Sequence, residues 1–296
     1  MCSAHSETMD QRRQKHISTR NILFNITSLA VHCCVMLITV VMLASCQSTT
    51  ALKPEVLELK GSLRAHDPVI IRQADTYYVF TTGGRPGRGF IPIKCSKDLI
   101  NWERCGNVFE ELPEWAPVEV PGTRGIWAPD ISFYNGKYHI YYSVSTFGKN
   151  TSAIGLVTNK TLDPEDPDYK WVDQGLVVKS TSGQDDWNAI DANLVVQDEN
   201  NIWLCWGSFW SGIKMMRIDP GTGKLSSEDT KLYSLASRPR VDEHQTPPIE
   251  GALEAPFIVR NGDYWYLFVS FDFCCRGAKS TYNVVVGRSV RSQVRI

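Results

Sequence analysis

One pattern recurs four times along this chain, about every sixty residues, and it constrains the fold more than any other feature: a carboxylate, a short apolar run, a polar turn, then an aromatic-rich run. The copies are Asp67-Pro-Val-Ile-Ile with Tyr77-Tyr-Val-Phe, Asp130-Ile-Ser-Phe with Tyr138-His-Ile-Tyr-Tyr, Asp191-Ala-Asn-Leu-Val with Ile202-Trp-Leu-Cys-Trp, and Glu254-Ala-Pro-Phe-Ile with Tyr264-Trp-Tyr-Leu-Phe. From acid to acid the intervals are 63, 61 and 63 residues. Short β-branched and aromatic runs bounded by Gly, Asn, Asp and Pro are strand signals, and helix-period patterns are almost absent. Two further strand-like stretches complete each unit: Ile91-Pro-Ile-Lys-Cys and Asn101-Trp-Glu-Arg-Cys in the first, Ala153-Ile-Gly-Leu-Val and Tyr169-Lys-Trp-Val in the second. Four antiparallel strands per unit make an all-β chain of β-propeller blades, whose innermost strands border a central channel. The acid opening each unit is therefore expected at one height on that channel. A fifth unit would start beyond residue 296, which leaves either a closed four-bladed ring or a propeller short of its last blade.

The repeats occupy a body at 61–296, preceded by a polar linker at 46–60 and a leader at 1–45. In the leader, Arg12, Arg13, Lys15 and Arg20 precede a mostly apolar stretch from Ile22 to Ala44 that lacks charged side chains. That is the pattern of a secretory signal peptide. It ends in Leu43-Ala-Ser-Cys46, similar to the lipobox of bacterial lipoproteins, in which the cysteine is lipidated and becomes the new N-terminus. Gln47 after it favours the outer membrane. The alternative is an uncleaved membrane anchor, since about 20 apolar residues span a bilayer. Either way the body is expected outside the cytoplasm, as a monomer. Removing the leader's Arg12, Arg13, Lys15, Arg20, Glu7 and Asp10 leaves 27 basic against 30 acidic side chains, a balance with no pull toward nucleic acid. With 43% apolar residues the chain has material for a sizeable core, which excludes a disordered protein.

Cys95, Cys105, Cys205, Cys274 and Cys275 remain beyond the leader and Cys46, without the spacing of a zinc site, so no metal ligands are assigned. Cys95 and Cys105 lie on what read as neighbouring strands and could pair. The adjacent Cys274 and Cys275 would form a vicinal disulfide or stay as two thiols on opposite faces of a strand. Gly83-Gly-Arg-Pro-Gly-Arg-Gly89 resembles a phosphate-cradling loop only superficially. It fits neither the P-loop nor the dinucleotide spacing and reads as a loop between strands.

Carboxylates converging on one channel suit sugar hydrolysis, in which one acid protonates the leaving oxygen and the other activates water. Their environments should push their pKa values apart, and a third acid nearby can hold the donor's proton by like-charge repulsion. Trp and Tyr beside them offer flat apolar faces to sugar rings. Any single acid could instead cap a turn.

The words around the acids narrow this. His66-Asp67-Pro, Trp127-Ala-Pro-Asp130, Asn188-Ala-Ile-Asp191, Gly207-Ser-Phe-Trp210, Glu254-Ala-Pro and Ser270-Phe-Asp-Phe-Cys-Cys275 resemble glycoside hydrolase family 43, and within it the endo-α-1,5-L-arabinanases. The resemblance implies a five-bladed propeller, here incomplete with about four blades, that hydrolyses arabinan with inversion. It makes Asp67 the general base, Glu254 the general acid and Asp191 the residue that tunes and positions Glu254. Inversion implies base and acid carboxyls roughly 6.5–9.5 Å apart. Trp127 and Phe147 would stack on arabinofuranose rings, Asn188 and Ser208 would bond hydroxyls, and Trp210 would line the cleft. Asp130 matches no catalytic position and reads as structural; Glu250 is the rival acid. No cofactor is needed for the chemistry. The family's fifth blade carries a histidine that helps hold a calcium or similar ion in the channel, and neither His66, His139 nor His244 fits that role. The alternatives are an exo-acting α-L-arabinofuranosidase or β-xylosidase of the same family, and a non-catalytic carbohydrate-binding lipoprotein.

Overall fold

In a computed structural model of the chain, residues 56–240 and 251–292 are described. The leader, Cys46, most of the linker, His244 and Glu250 lie outside the described residues. The body is all-β. Blade 1 holds β1 (Lys60–Gly61), β2 (Val69–Gln73), β3 (Thr76–Phe80), β4 (Phe90–Ser96) and β5 (Asn101–Phe109), ordered β1-β5-β4-β3-β2. A short helix, α1 (Trp115–Glu119), leads to blade 2, with β6 (Trp127–Tyr134), β7 (Lys137–Val144), β8 (Ser152–Asn159) and β9 (Val172–Ser180) in sequence order. Blade 3 follows with β10 (Asn193–Asp198), β11 (Asn201–Trp206), β12 (Ile213–Ile218) and β13 (Tyr233–Ala236). Blade 4 has three described strands, β14 (Leu253–Asn261), β15 (Tyr264–Phe271) and β16 (Asn283–Ser289). All pairings are antiparallel except β1 on β5, which joins the end of the linker to the outer edge of blade 1.

The turns follow from local chemistry. Asn135 and Gly136, with φ of 48° and 70°, close the β6–β7 hairpin in two residues, the conformation that the right-handed twist of paired strands demands. Tyr169-Lys-Trp171, expected in a strand, precedes β9. Its aromatic residues serve packing instead: Trp171 sits edge-on to Phe80 at 5.9 Å and donates to the Tyr169 hydroxyl at 3.1 Å.

Strand alternation divides the core. Tyr138, Ile140 and Tyr142 of β7 pack toward blade 1, while Tyr141 packs toward blade 3. On β11, Ile202, Leu204 and Trp206 face blade 2, and Trp203 and Cys205 face blade 4. Each blade is thus a two-faced wedge, and one buried cluster fills each gap between neighbours. Blade 4 shows the same alternation: Ile258, Leu267, Val269 and Val285 are packed on blade 3, while Phe257, Val259, Val284 and Val286 are exposed.

The inner strands are latched side chain to backbone. Asp130 accepts the Leu194 N–H at 2.7 Å and an Asn193 amide hydrogen at 3.3 Å; Asn193 in turn accepts the Ile258 N–H at 2.8 Å. Asp130 on β6 pairs with Tyr141, and Asn193 on β10 with Cys205, so the two latches occupy one position in successive blades. Val69, facing Phe80, and Phe257, facing Phe268, hold that position in blades 1 and 4. This corrects the expectation that all four acids stand at one height. Asp130 lies further along its strand than Asp67 and Asp191 do along theirs. It is 5% exposed between blades, and burial raises its pKa to about 7 against the pull of its two donors.

Candidate active site

Each inner strand is entered through one residue in the left-handed conformation: Asp67 (φ 46°), Ala128 (φ 37°), Asp191 (φ 59°) and Ala255 (φ 54°). Such backbone costs on the order of 1–3 kcal/mol per non-glycine residue and persists only where its surroundings hold it. For three of the four the neighbouring blade does so. Ala128 donates its N–H to Thr82 Oγ1 at 2.6 Å, Asp191 to Ser143 Oγ at 3.0 Å, and Ala255 to Asp191 Oδ2 at 3.2 Å. Asp67 and Asp191 are equivalent in register, and Glu254 stands one residue before the equivalent Ala255.

The three carboxylates have different surroundings. Asp67 is solvent-accessible, and Thr82 Oγ1 donates to its Oδ2 at 2.5 Å, with His66 Nε2 at 3.5 Å from the same atom. That leaves Oδ1 free of protein donors among the described residues. Asp191 is held well above the ordinary carboxylate range by burial, then by the negative charges of Glu254 and Asp67. Glu254 is held at both oxygens: Ser208 Oγ donates to Oε2 at 2.7 Å, and the Tyr282 hydroxyl donates to Oε1. Burial and the Glu254 charge push the Tyr282 phenol up, so it stays protonated as a donor.

Residues 61–294 match the model of glycosyl hydrolases family 43. The chain belongs to this family. Over 228 residues it is 45% identical to the extracellular exo-alpha-(1->5)-L-arabinofuranosidase ArbA of Cellvibrio japonicus, covering 76% of this chain and 63% of that protein. It is 43% identical to the extracellular endo-alpha-(1->5)-L-arabinanase 1 of Bacillus subtilis, covering 76% and 64%. The chain thus spans a little under two thirds of the length of these curated relatives. Among solved structures, the family 43 endo-arabinanase of Bacillus licheniformis superposes with a TM-score of 0.70 at 45% identity, over 80% of this chain and 75% of that one. The alpha-L-arabinanase of Cellvibrio cellulosa complexed with arabinohexaose gives 0.71 at 41% identity, over 78% and 72%.

Around the acids of this family 43 chain, the expected binding residues take distinct places. Trp127 pairs with Ser143 as Glu254 pairs with Ser270, so blade 2 presents an indole where blade 4 presents its acid. Ser208 is buried on Glu254. Phe209 donates its N–H to Leu253 O at 2.7 Å, tying the turn that carries Ser208 and Trp210 to the residue before Glu254. Asn188 is 3% exposed, and its Oδ1 has no hydrogen-bond partner. Phe147 lies in the β7–β8 turn and is 86% exposed. Asp130 is not brought to the site. His139 is buried against the Tyr134 ring at 3.7 Å, with its pKa lowered to about 4 by burial.

Tyr282 was not among the sequence-expected residues. It follows the loop that carries the Asp272-Phe-Cys-Cys275 part of a family motif, but lies beyond that motif, and only blade topology places it beside Glu254, two strands away. The loop is braced at its stem by Asp272, which pairs with Arg238 at 2.7 Å and accepts from Asn283 Nδ2 at 3.1 Å. Arg238 also donates to Ala252 O at 2.9 Å, so one side chain braces both the Tyr282 loop and the approach to Glu254. Cys274 and Cys275 form a disulfide within that loop, and Cys95 pairs with Cys105 between β4 and β5. Among the described residues, the one cluster with metal-ligand spacing is Cys95, Glu103 and Cys105, whose sulfurs are joined in that disulfide. No residue is assigned to the calcium that the family resemblance implies, and no chemical step is routed through an ion.

Proposed function

We propose that the protein hydrolyses internal α-1,5-L-arabinofuranosidic links of arabinan with inversion. The observation that carries this reading is the meeting of Asp67, Asp191 and Glu254 from three blades, each in a different environment, in a family 43 chain similar to named arabinanases. Asp67 is the base. With Oδ2 held by Thr82, Oδ1 takes a proton from water as the water oxygen bonds to the anomeric carbon. Glu254 is the acid, giving its proton to the glycosidic oxygen as the carbon–oxygen bond breaks. One water is consumed, and both carboxyls return to their starting states by exchange with solvent. Asp191 and Glu254 repel each other's charge, so the pair keeps one proton to higher pH than a lone carboxyl would, and Asp191 positions Glu254 through the Ala255 N–H. Trp127 and Phe147 offer stacking faces, and Asn188 Oδ1 an acceptor for a sugar hydroxyl, whose absence from a site built for it is costly.

The extracellular relatives support a location outside the cytoplasm, and Cys46 would anchor the chain to the outer membrane as a lipoprotein. Fractionation of a Cys46→Ser variant tests that, and release from the membrane is expected. An exo-acting reading has two specific supports, the Cellvibrio japonicus relative named an exo-arabinofuranosidase and a solved exo-1,5-alpha-L-arabinanase from a bovine ruminal metagenomic library that is 46% identical to this chain. Product analysis on linear, debranched arabinan decides: oligomers of several lengths at early times are expected, whereas a single short product from the outset establishes the exo reading. Binding without turnover at any pH from about 4 to 9, alike in the native protein and Glu254→Ala, would leave only a carbohydrate-binding module.

A further inference from the structure

The segment Gly83–Gly89 is no phosphate loop, yet its geometry gathers charge. It joins β3 to β4 through a tight turn in which Pro86 and Gly87 are the central residues. The Arg88 N–H donates to Arg85 O at 2.9 Å, and Gly87 has a φ of 73°. The base of the turn is fixed as well. A Cβ on Gly84 would meet Gly89 O at 2.1 Å, and one on Gly89 would meet Asn107 Nδ2 at 2.3 Å. Arg85 and Arg88 are therefore carried on a defined frame. Arg104 of β5 is held beside them, donating to Arg88 O at 3.3 Å and to Asn107 Oδ1 at 2.9 Å.

These three arginines, with Gly84 and Pro92, line a solvent-open cavity of about 230 Å³. Among the described residues none of the three guanidiniums pairs with a carboxylate. Three like charges in one concavity repel each other, and an anion placed among them reverses that sign. The guanidinium fork matches the geometry of a carboxylate, which accepts two parallel hydrogen bonds. Thr82, which holds Asp67, immediately precedes the segment, and Gly83 donates its N–H to Ile126 O beside Trp127.

We infer that this cavity is an anion subsite, and that it takes the carboxylate of an acidic sugar. The inference goes beyond the arabinan reading, which itself requires no anion. The arginine frame itself is independent of that reading.

The test uses the whole chain and two variants, Arg85→Gln/Arg88→Gln and Arg85→Lys/Arg88→Lys, with thermal melting to show that each is folded. Both substitutions lie on the exposed turn and leave Arg104 in place. Calorimetric titration with a galacturonate trimer should give binding that weakens as salt rises, is about tenfold weaker in the glutamine variant and is partly retained in the lysine variant. Turnover of neutral linear arabinan should stay within about twofold of the native protein, since neither arginine touches the three acids. Equal trimer affinity in the native and glutamine proteins, or none in the native, overturns the subsite. Inorganic phosphate binding as tightly as the trimer overturns its assignment to a sugar carboxylate. Arginine-dependent trimer binding by a chain inactive on arabinan would defeat the hydrolase reading and leave the anion site standing.

Discussion

Asp130 and Asp191 are both aspartates of inner strands, in adjacent blades, and burial raises the pKa of each. Their work is different. Asp130 turns its carboxylate sideways onto the backbone of the next blade, where Leu194 and Asn193 saturate it, and no other carboxylate figures in its shift. Asp191 feels Glu254 and Asp67, and spends one oxygen on the Ala255 N–H next to the acid. A small offset in position along the strand separates a fastener from a carboxylate that faces two others. In a repeating fold, residue type and approximate period are thus not enough to assign a role; what decides is which atoms the carboxylate meets.

The largest expected effect exploits that division. Glu254→Gln and Asp67→Asn should each lower turnover of linear arabinan by about 10²–10⁴-fold while leaving the melting temperature near the native value. Asp130→Asn should do the reverse, with activity per folded molecule nearly unchanged. Turnover in Asp130→Asn falling as far as in Glu254→Gln, at equal folded fraction, would erase the distinction.

Removing the latch altogether comes next. Asp130→Ala strands the Leu194 N–H and the Asn193 amide in a buried gap, and each unsatisfied donor costs about 1–3 kcal/mol. A loss of about 3 kcal/mol in urea unfolding is expected, with the inner-strand contacts of blades 2 and 3 the first to loosen in hydrogen exchange. A loss below about 0.5 kcal/mol would show that the latch is incidental.

The latch also carries a pH signature. With its folded pKa raised to about 7 from an ordinary 3.8, Asp130 holds a proton between those values that the unfolded chain has released. Its contribution to stability is therefore fully present below about pH 4 and is lost as the pH rises to about 7. Asparagine at this position cannot titrate. The stability of the native protein relative to Asp130→Asn should accordingly decline by up to a few kcal/mol between about pH 4 and 8. An advantage that grows over that interval would mean that the donors outweigh burial and hold the carboxylate ionised.

Much of this was legible in the sequence. The period announced the blades, and Trp127-Ala-Pro and Glu254-Ala-Pro, which open β6 and β14 in the same register, could have been aligned on each other directly. Aligning on acids instead placed Asp130 with Glu254, when its register partner in blade 4 is Phe257. The left-handed kink that moves the true alignment is a backbone property, and Asp67, Ala128, Asp191 and Ala255 share no side-chain signal for it. Tyr282 was illegible for another reason. Its partner lies 28 residues away across β15, and no local spacing encodes a hydrogen bond between nonadjacent strands. Trp171 misled through composition, because aromatic residues signal a strand and a core packing site alike.

The smallest effect separates two influences on the same carboxyl. Tyr282→Phe removes the donor at Glu254 Oε1 and leaves Ser208 at Oε2; losing one hydrogen bond to a charged group should cost about tenfold in kcat with little change in KM. A purely structural role for Tyr282 would lower kcat without moving the pH profile. A hydroxyl donating to a carboxylate favours its ionised form, so without it the acid keeps its proton to higher pH, and the basic limb of kcat/KM should move upward. Asp191→Asn removes the mutual repulsion that keeps one proton on the Asp191–Glu254 pair, and should move the same limb downward. Opposite shifts from the two variants identify Asp191 as the residue that keeps the proton on the acid and Tyr282 as one that opposes it. Shifts of the same sign would mean that both act only by holding Glu254 in place, and Asp191 would then differ from Asp130 in location alone.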